Sequence, residues 1–406
     1  MSMTDAAFAD GDGASPHRVL CAGICALILT VGLARFAYTP LLPVMRAEAG
    51  LSYLAGGWLA TFNYVGYLAG VLIAAGVTDM RRKYVLYRLG LIVAALSTAA
   101  MGWTSDVGTW ALLRLLGGMS GAAGMLLASG LVLDWLMRNG HRAELGLHFT
   151  GLGLGIMVSG IAVNLMLDRL DWAQQWVALG VLGAAFLVPA WLWVPAPTGM
   201  DTQPAAVDAK PASASPPSRR WMALLLGAYF CAGFGYVVSA TFIVAIVEKM
   251  PLLAGRGVWL WVAVGLAAVP SSLLWDRIAQ RTGTLRALIL GFGLQTVSIL
   301  LPVLTQDPWL NLLSALLYGG TCIGLVSLTL TLIGRRFPGN SSKAMAKLTI
   351  SYGIAQIVAP AIAGGIAAAT GSYRGALVIA VLVMGVGMLL VMALHALERR
   401  LGSAPQ

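Results

Sequence analysis

The sequence predicts an all-α integral membrane protein, with twelve transmembrane helices in two pseudo-symmetric six-helix bundles. Three observations predict it: too little charge to cover a watery surface, twelve apolar stretches of spanning length, and a faint repeat of the first half in the second. Of 406 residues, 59% are hydrophobic and 10% charged. A soluble domain carries about 25% charged residues. This composition excludes a soluble enzyme, a secreted disulfide scaffold and a nucleic-acid binder, despite a net charge of +10. The 49 glycines fit a membrane bundle, where small residues let helices approach closely.

A helix crosses a hydrocarbon core of about 30 Å with about 20 apolar residues. Residues 1–17 hold Asp5, Asp10 and Asp12 but no Lys or Arg. A secretory signal starts basic, so this stretch reads as an uncleaved, disordered tail. Apolar runs follow at 19–44 and 54–78, then the charged break from Asp79 to Lys83. Runs 84–104 and 109–135 lead to the break from Arg138 to Arg142, and 144–167 and 173–194 complete the first six. Residues 196–220 carry Pro197, Pro204, Pro211, Pro216 and Pro217 among Ala, Ser and a few charges. Such a segment buries no core and reads as a flexible linker. The second six are 221–247, 256–275, 286–305, 309–334, 345–369 and 375–397, broken by Asp276 to Arg286 and by Arg335 to Lys343. The expected units are therefore a tail (1–17), a bundle (18–195), a linker (196–220) and a bundle (221–400). Pro40, Pro43, Pro270, Pro302 and Pro360 are expected to bend their helices. Cys21, Cys25, Cys231 and Cys322 all lie in apolar runs and read as small packing residues, with no zinc spacing.

Lys and Arg set the orientation. With the N-terminus inside, nineteen of the 26 fall in the tail, linker and inner loops. Five fall outside (Arg46, Arg169, Lys249, Arg256 and Arg374), and Arg35 and Arg114 lie within spans. Both termini and the linker are thus expected in the cytoplasm.

The halves echo one another. The loop beginning at Asp79 recurs at Asp276. Trp110 through Gly118 resembles Trp309 through Gly320, and Gly32-Leu-Ala-Arg35-Phe is echoed by Gly233-Phe-Gly-Tyr236-Val. The three offsets all lie near 200 residues, which suggests duplication, a construction common among secondary transporters with a midplane site.

With these residues in view, the chain resembles the major facilitator superfamily over residues 18–400. The loop Ala75-Gly-Val-Thr-Asp79-Met-Arg81-Arg82-Lys83 is similar to that family's Gly-x-x-x-Asp-Arg-x-Gly-Arg-Lys motif, though it lacks the later Gly and is a residue short. Trp275-Asp276-Arg277 through Gly283 is a degenerate second copy. Arg114-Leu-Leu-Gly-Gly118 resembles the intramembrane Arg-x-x-x-Gly motif. Gly151 to Gly160 lacks the proline of the drug-antiporter motif, which lowers the weight of a drug exporter. Gly32 through Pro43, including Tyr38, resembles the first helix of the YbfB/YjiJ-type branch. The resemblance implies a multi-pass protein of a bacterial inner membrane, with Asp79, Arg81, Arg82, Asp134, Asp276 and Arg277 as gating residues. It suggests that Asp134 meets Arg81 and Arg82; a local pair with Arg138 at i+4 is the alternative.

Arg35 and Arg114 need a reason to lie in the bilayer, since a central Arg costs about 3 kcal/mol even on mild scales. Arg35 lies about 25 Å from the inner face and Arg114 about 12 Å below the outer one at 1.5 Å per residue. One reading is a pair of guanidiniums clamping an anion; the other is snorkelling or bonding to backbone carbonyls. Polar and aromatic stripes with helical spacing could line a cavity or join helices. They are Gly32, Arg35 and Thr39, with Tyr38 beside them as a further candidate binding residue; Asn63 and Tyr67; Tyr229, Gly233 and Tyr236; and Tyr352 and Gln356. Tyr236 is favoured because the echo sets it opposite Arg35. No acid lies clearly mid-membrane. His148, the only deep titratable alternative, reads as a packing residue. Proton coupling and exchange against a counter-anion both stay open.

The expected function is secondary transport of a small organic anion, with a monocarboxylate as one candidate, by alternating access. The alternative is an exporter of amphiphilic or aromatic compounds. A membrane-embedded enzyme lacks support, since no Ser/His/Asp set or His-Glu-x-x-His stands at membrane depth. A substrate sensor would be expected to append a signalling domain. No cofactor, metal or nucleic acid is expected, and a monomer is.

Overall fold

Local signals in the sequence start most of the helices. The computed structural model describes residues 15–142, 145–197, 218–337 and 341–402. Most of the expected tail and linker lies outside these residues. Ser15, Ser52, Asp79, Asp106, Ser218 and Asp307 each cap a helix by accepting a backbone N–H with the side chain. Asp171 and Gln174 form a reciprocal capping box, which satisfies two of the orphan donors at a helix start. Pro16, at the first helical position beside Ser15, starts the first helix inside the stretch read as tail.

We number the spans in chain order. Helices α1 to α6 are Pro16–Glu48, Tyr53–Gly76, Met80–Trp103, Val107–Arg138, Gly146–Met166 and Trp172–Leu192. Helix α7 is Arg219–Val247, and α8 is the pair Gly257–Ala268 and Ser271–Thr282, bent by 47° where Pro270 interrupts it. Helices α9 and α10 are Thr284–Leu304 and Pro308–Arg336, α11 is Ser341–Thr370, and α12 is Arg374–Gly402. Eleven of these are single helices long and apolar enough to cross a membrane, and the bent pair makes the twelfth. Large apolar side chains such as Leu96, Val181 and Leu382 stand exposed, as expected where lipid replaces water.

The halves, α1–α6 and α7–α12, meet along α2 against α11 and α5 against α8. Close approach requires glycine at the tightest crossings. A Cβ on Gly32 of α1 would stand 2.5 Å from the Cα of Gly155 on α5, and one on Gly118 of α4 only 1.9 Å from the Asn63 carbonyl oxygen on α2. Gly32 and Gly118, singled out from the sequence, thus fix where α1, α2, α4 and α5 converge.

Among the described residues, the side-chain hydrogen bonds between the halves lie towards the end of the molecule away from the termini. Thr39 Oγ1 donates to the Ala240 carbonyl at 2.5 Å and Thr61 Oγ1 to that of Ile357 at 2.9 Å. The Trp261 indole donates to Ser159 Oγ at 3.3 Å. At the rim, Tyr53 Oη donates to the Gly371 carbonyl at 2.6 Å, which also accepts from Lys249 Nζ at 2.8 Å. Tyr373 donates back to the Tyr53 carbonyl at 3.2 Å. This end is held shut.

Candidate functional site

Helix α1 does not keep α geometry at its centre. From Ile28 to Phe36 it widens to i→i+5 hydrogen bonding, and the Ala37 N–H reaches the Gly32 carbonyl at 3.0 Å. Such widened turns recur at functional sites. Arg35 sits in this segment. Pro40, one turn further on, brings no N–H to the ladder, so the backbone near Arg35 has carbonyl capacity to spare.

Arg114 of α4 uses that capacity. Its Nη1 donates to the Ala34 carbonyl at 3.0 Å and its Nη2 to that of Arg35 at 3.4 Å. The guanidinium also lies 4.5 Å from the centre of the Tyr38 ring, a favourable cation–π contact. Behind it, Asn63 Nδ2 donates to the Arg114 carbonyl at 2.9 Å. Of the two readings open for Arg114, this conformation takes the backbone one. Asn63 likewise joins two helices. The pair forms a brace that runs from α2 through α4 to the widened turn of α1.

Arg35 is placed differently. It is only 7% exposed, yet among the described residues no carboxylate lies within ion-pair distance of it. Its Nε, like that of Arg114, is buried without a hydrogen-bond partner, and the Tyr64 hydroxyl is a hydrogen-bonding neighbour of its guanidinium. Tyr64 and Tyr67 hold the guanidinium between ring centres 4.3 and 4.7 Å away, and Tyr236 from the other half is a further electrostatic neighbour. The echo of Arg35 with Tyr236 therefore corresponds to proximity. A small cleft joins Arg35, Thr39, Tyr64 and Arg114 of one half to Ala240 and Thr241 of the other. It offers about 10 Å³, roughly the room one water needs. Two guanidiniums line it and, among the described residues, no acid does, so it is a positive site in a low-dielectric setting.

A cluster of tyrosines continues from it into the second half. Tyr229 and Tyr352 lie 4.6 Å apart between ring centres, Tyr236 and Tyr352 6.1 Å, and Tyr236 and Tyr318 6.3 Å with nearly parallel planes. The Tyr318 hydroxyl donates to the Tyr236 carbonyl at 2.6 Å. Gln356, one turn beyond Tyr352, is buried. Tyr38 serves as wall, its hydroxyl donated to the Gly56 carbonyl at 2.9 Å. Tyr64 and Tyr318 escaped the sequence reading. Tyr64 is three residues before Tyr67 on the same helix face, a signal that was available. Tyr318 stands beside Gly319 and Gly320 in the echo of Gly117 and Gly118.

Of the expected gating residues, Asp79 and Asp134 make local contacts in this conformation. Asp79 caps α3, Oδ1 accepting from the Arg81 N–H at 3.0 Å, and pairs with exposed Arg82 at 3.6 Å. Asp134 pairs with Arg138 at 3.0 Å; that local pair, not a meeting with Arg81 and Arg82, is what forms here. Asp276 has Arg335 of α10 as an electrostatic neighbour, and Arg277 is exposed. His148 is fully buried, with Nε2 at 2.9 Å from Ser129 Oγ, in keeping with a packing role. Among the described residues no cluster of three or more His, Cys, Asp or Glu could hold a metal ion.

The fold is similar to that of the nucleoside transporter NupG. The crystal structure of a point mutant of that transporter aligns with a TM-score of 0.74 at 13% identity, covering 93% of this chain and 99% of that one. A second NupG crystal structure aligns with a TM-score of 0.71 at 12% identity, covering 94% and 98%. At such identity the likeness speaks to the fold alone. No curated protein sequence matches the chain significantly. A family model does, that of the "uncharacterised MFS-type transporter YbfB", over residues 27–392. Because that match spans the widened turn of α1, the Arg114 brace and nearly the whole of both bundles, the chain belongs to this family of MFS-type transporters.

Proposed function

We propose that this transporter moves a small organic anion by alternating access, with Arg35 taking the anionic group. The observation that carries the reading is the buried Arg35 guanidinium. Among the described residues it has no carboxylate partner, its Nε is unpartnered, and it lies at a cleft shared by both halves. Arg forms short, charge-assisted bonds to carboxylate or phosphate, and Arg114 holds the backbone that carries Arg35. A monocarboxylate is the first candidate. Without a central acid, the coupling is either exchange against a counter-anion or a proton carried with the substrate. The charge count supports cytoplasmic termini in a bacterial inner membrane. The end held shut then faces outward, and the state is closed to the outside.

A thermal-shift screen of the purified protein against organic anions, cations and neutral solutes tests this. A ligand that binds the native state raises the melting temperature by mass action. Small carboxylates are expected to do so; stabilisation by cations or neutral solutes alone would overturn the reading. The tyrosine cluster favours a second reading, an exporter of amphiphilic or aromatic compounds. Its mark in the same screen is stabilisation by uncharged aromatic compounds.

A further inference from the structure

A second concavity lies away from Arg35, on the exposed side of the second half near the C-terminus. Between α9 and α12 runs a groove of about 330 Å³, lined by Ile289, Met392, His395, Ala396, Arg399 and Arg400. On α12 these residues follow helical spacing: Met392, then His395 and Ala396, then Arg399, all on one face. On α9, exposed Arg286 stands one turn before Ile289 on the same side. The end of the groove is thus basic.

Its walls away from that end are apolar. Ile289, Met392 and Ala396 line it there, and Leu290 and Leu389, close to them in sequence, are exposed. Gly293 of α9 faces Met388 of α12, whose sulfur would be 3.7 Å from a Cβ placed on the glycine. The one nearby acid on α12 is turned away. Glu398 accepts the Trp221 indole N–H of α7 at 2.9 Å through Oε1, so its charge is committed to the bundle interior. Arginines at a helix end with an apolar channel leading from them fit an amphiphile that has an anionic head and a hydrocarbon tail. Basic pockets between membrane helices at this level recognise acidic headgroups.

We propose that this groove is a binding site for an anionic phospholipid. The phosphodiester lies against Arg286, Arg399 and Arg400, and an acyl chain runs past Ile289, Met392 and Gly293. Inorganic phosphate shares the head chemistry but has no use for the apolar walls, which is why the lipid is the occupant argued for.

The test uses the full chain in detergent, with native mass spectrometry counting bound lipid and melting temperature read in parallel. The probes are phosphatidylglycerol, phosphatidylcholine and inorganic phosphate. Wild type is expected to retain phosphatidylglycerol in preference to phosphatidylcholine. The double variant Arg286→Gln, Arg399→Gln is expected to lose about 30-fold in that retention. It should melt as wild type does without lipid. The charge-keeping double variant Arg286→Lys, Arg399→Lys should retain the preference, and Arg82→Gln in the first turn of α3 should leave it untouched. Equal retention of the two lipids, unchanged retention in the Gln double variant, or stabilisation by inorganic phosphate equal to that by phosphatidylglycerol would each overturn the proposal.

Discussion

Thr39 donates its hydroxyl to the carbonyl of Ala240 at 2.5 Å, and the two residues are 201 positions apart. The same offset relates Gly32 to Gly233 and Arg35 to Tyr236. Thr39 and Ala240 are therefore equivalent positions of the two halves. Equivalent residues can touch only beside the axis that relates the halves, so this bond marks where α1 and α7 cross the centre of the molecule. It lies one turn from Arg35, in the wall of the cleft on the side of the rim that is held shut. A hydroxyl there couples closure of the halves to the position of the cleft wall.

Thr39→Val keeps the shape and removes the donor. One such hydrogen bond is worth about 1 kcal/mol, or roughly a fivefold change in a two-state population. The variant is expected to open more often at the end away from the termini. A cysteine introduced at Thr241, in a background with the native cysteines replaced, should then label several times faster from that side. Labelling at the wild-type rate would show that Thr39 does not hold the closure.

Arg114 is expected to behave as a structural residue. Its loss leaves the Ala34 and Arg35 carbonyls without their donor and frees the widened turn of α1. Bonds to a charged donor contribute about 1.5–3 kcal/mol. Arg114→Gln should lower the melting temperature clearly, and Arg114→Lys less. Melting at the wild-type temperature in Arg114→Gln would remove the brace from the account.

The spans were legible because length and apolarity suffice to define them; of the five prolines expected to bend their helices, Pro270 stands at a break of 47°, while Pro43, Pro302 and Pro360 stand inside continuous helices. The widened turn at Ile28–Phe36 was not legible. No residue type enforces i→i+5 bonding, and two of the carbonyls in this turn accept from Arg114, a partner from another helix. For the same reason Asn63 could be read only as polar and facing inward. Its bond to the Arg114 carbonyl depends on how closely α2 and α4 approach, which Gly118 sets. Arg35 stood out in both views, because an unbalanced charge at membrane depth is costly wherever the backbone goes.

Asp79→Asn tests the degenerate loop motif. Asn caps a helix about as well as Asp, and the pair lost with exposed Arg82 is a weak one. Expression should therefore hold. If the loops at Asp79 and Asp276 lock the opposite conformation, the variant should populate the state described here more fully. Site-directed labelling from both sides reads this, and accessibility identical to wild type would show that the loop no longer gates.

Orientation rests on the distribution of Lys and Arg alone. Cysteines introduced at Ser213 and Thr305 should label with an impermeant reagent only from inside and only from outside, respectively. The reverse pattern would turn the molecule over and make the end held shut the cytoplasmic one.

Arg35 should separate from Arg114 in a paired measurement. Arg35→Lys keeps the charge but loses the planar fork, so anion affinity should fall while the field remains. Arg35→Gln should lose more, about 10- to 150-fold for charge-assisted bonds of about 1.5–3 kcal/mol. Its melting temperature should hold or rise, because a buried charge without a counter-charge has been removed. The ring contacts with Tyr64 and Tyr67 recover part of that burial cost in the wild type, which limits the gain. Arg114→Gln gives the opposite pattern, a loss of folded protein with a smaller change in affinity among the molecules that remain. Both quantities are read on the same purified variants, by thermal melting with and without a carboxylate found to stabilise the wild type. Arg35→Gln protein that melts lower yet binds that carboxylate normally would make Arg35 a second brace and leave the anion without its receptor.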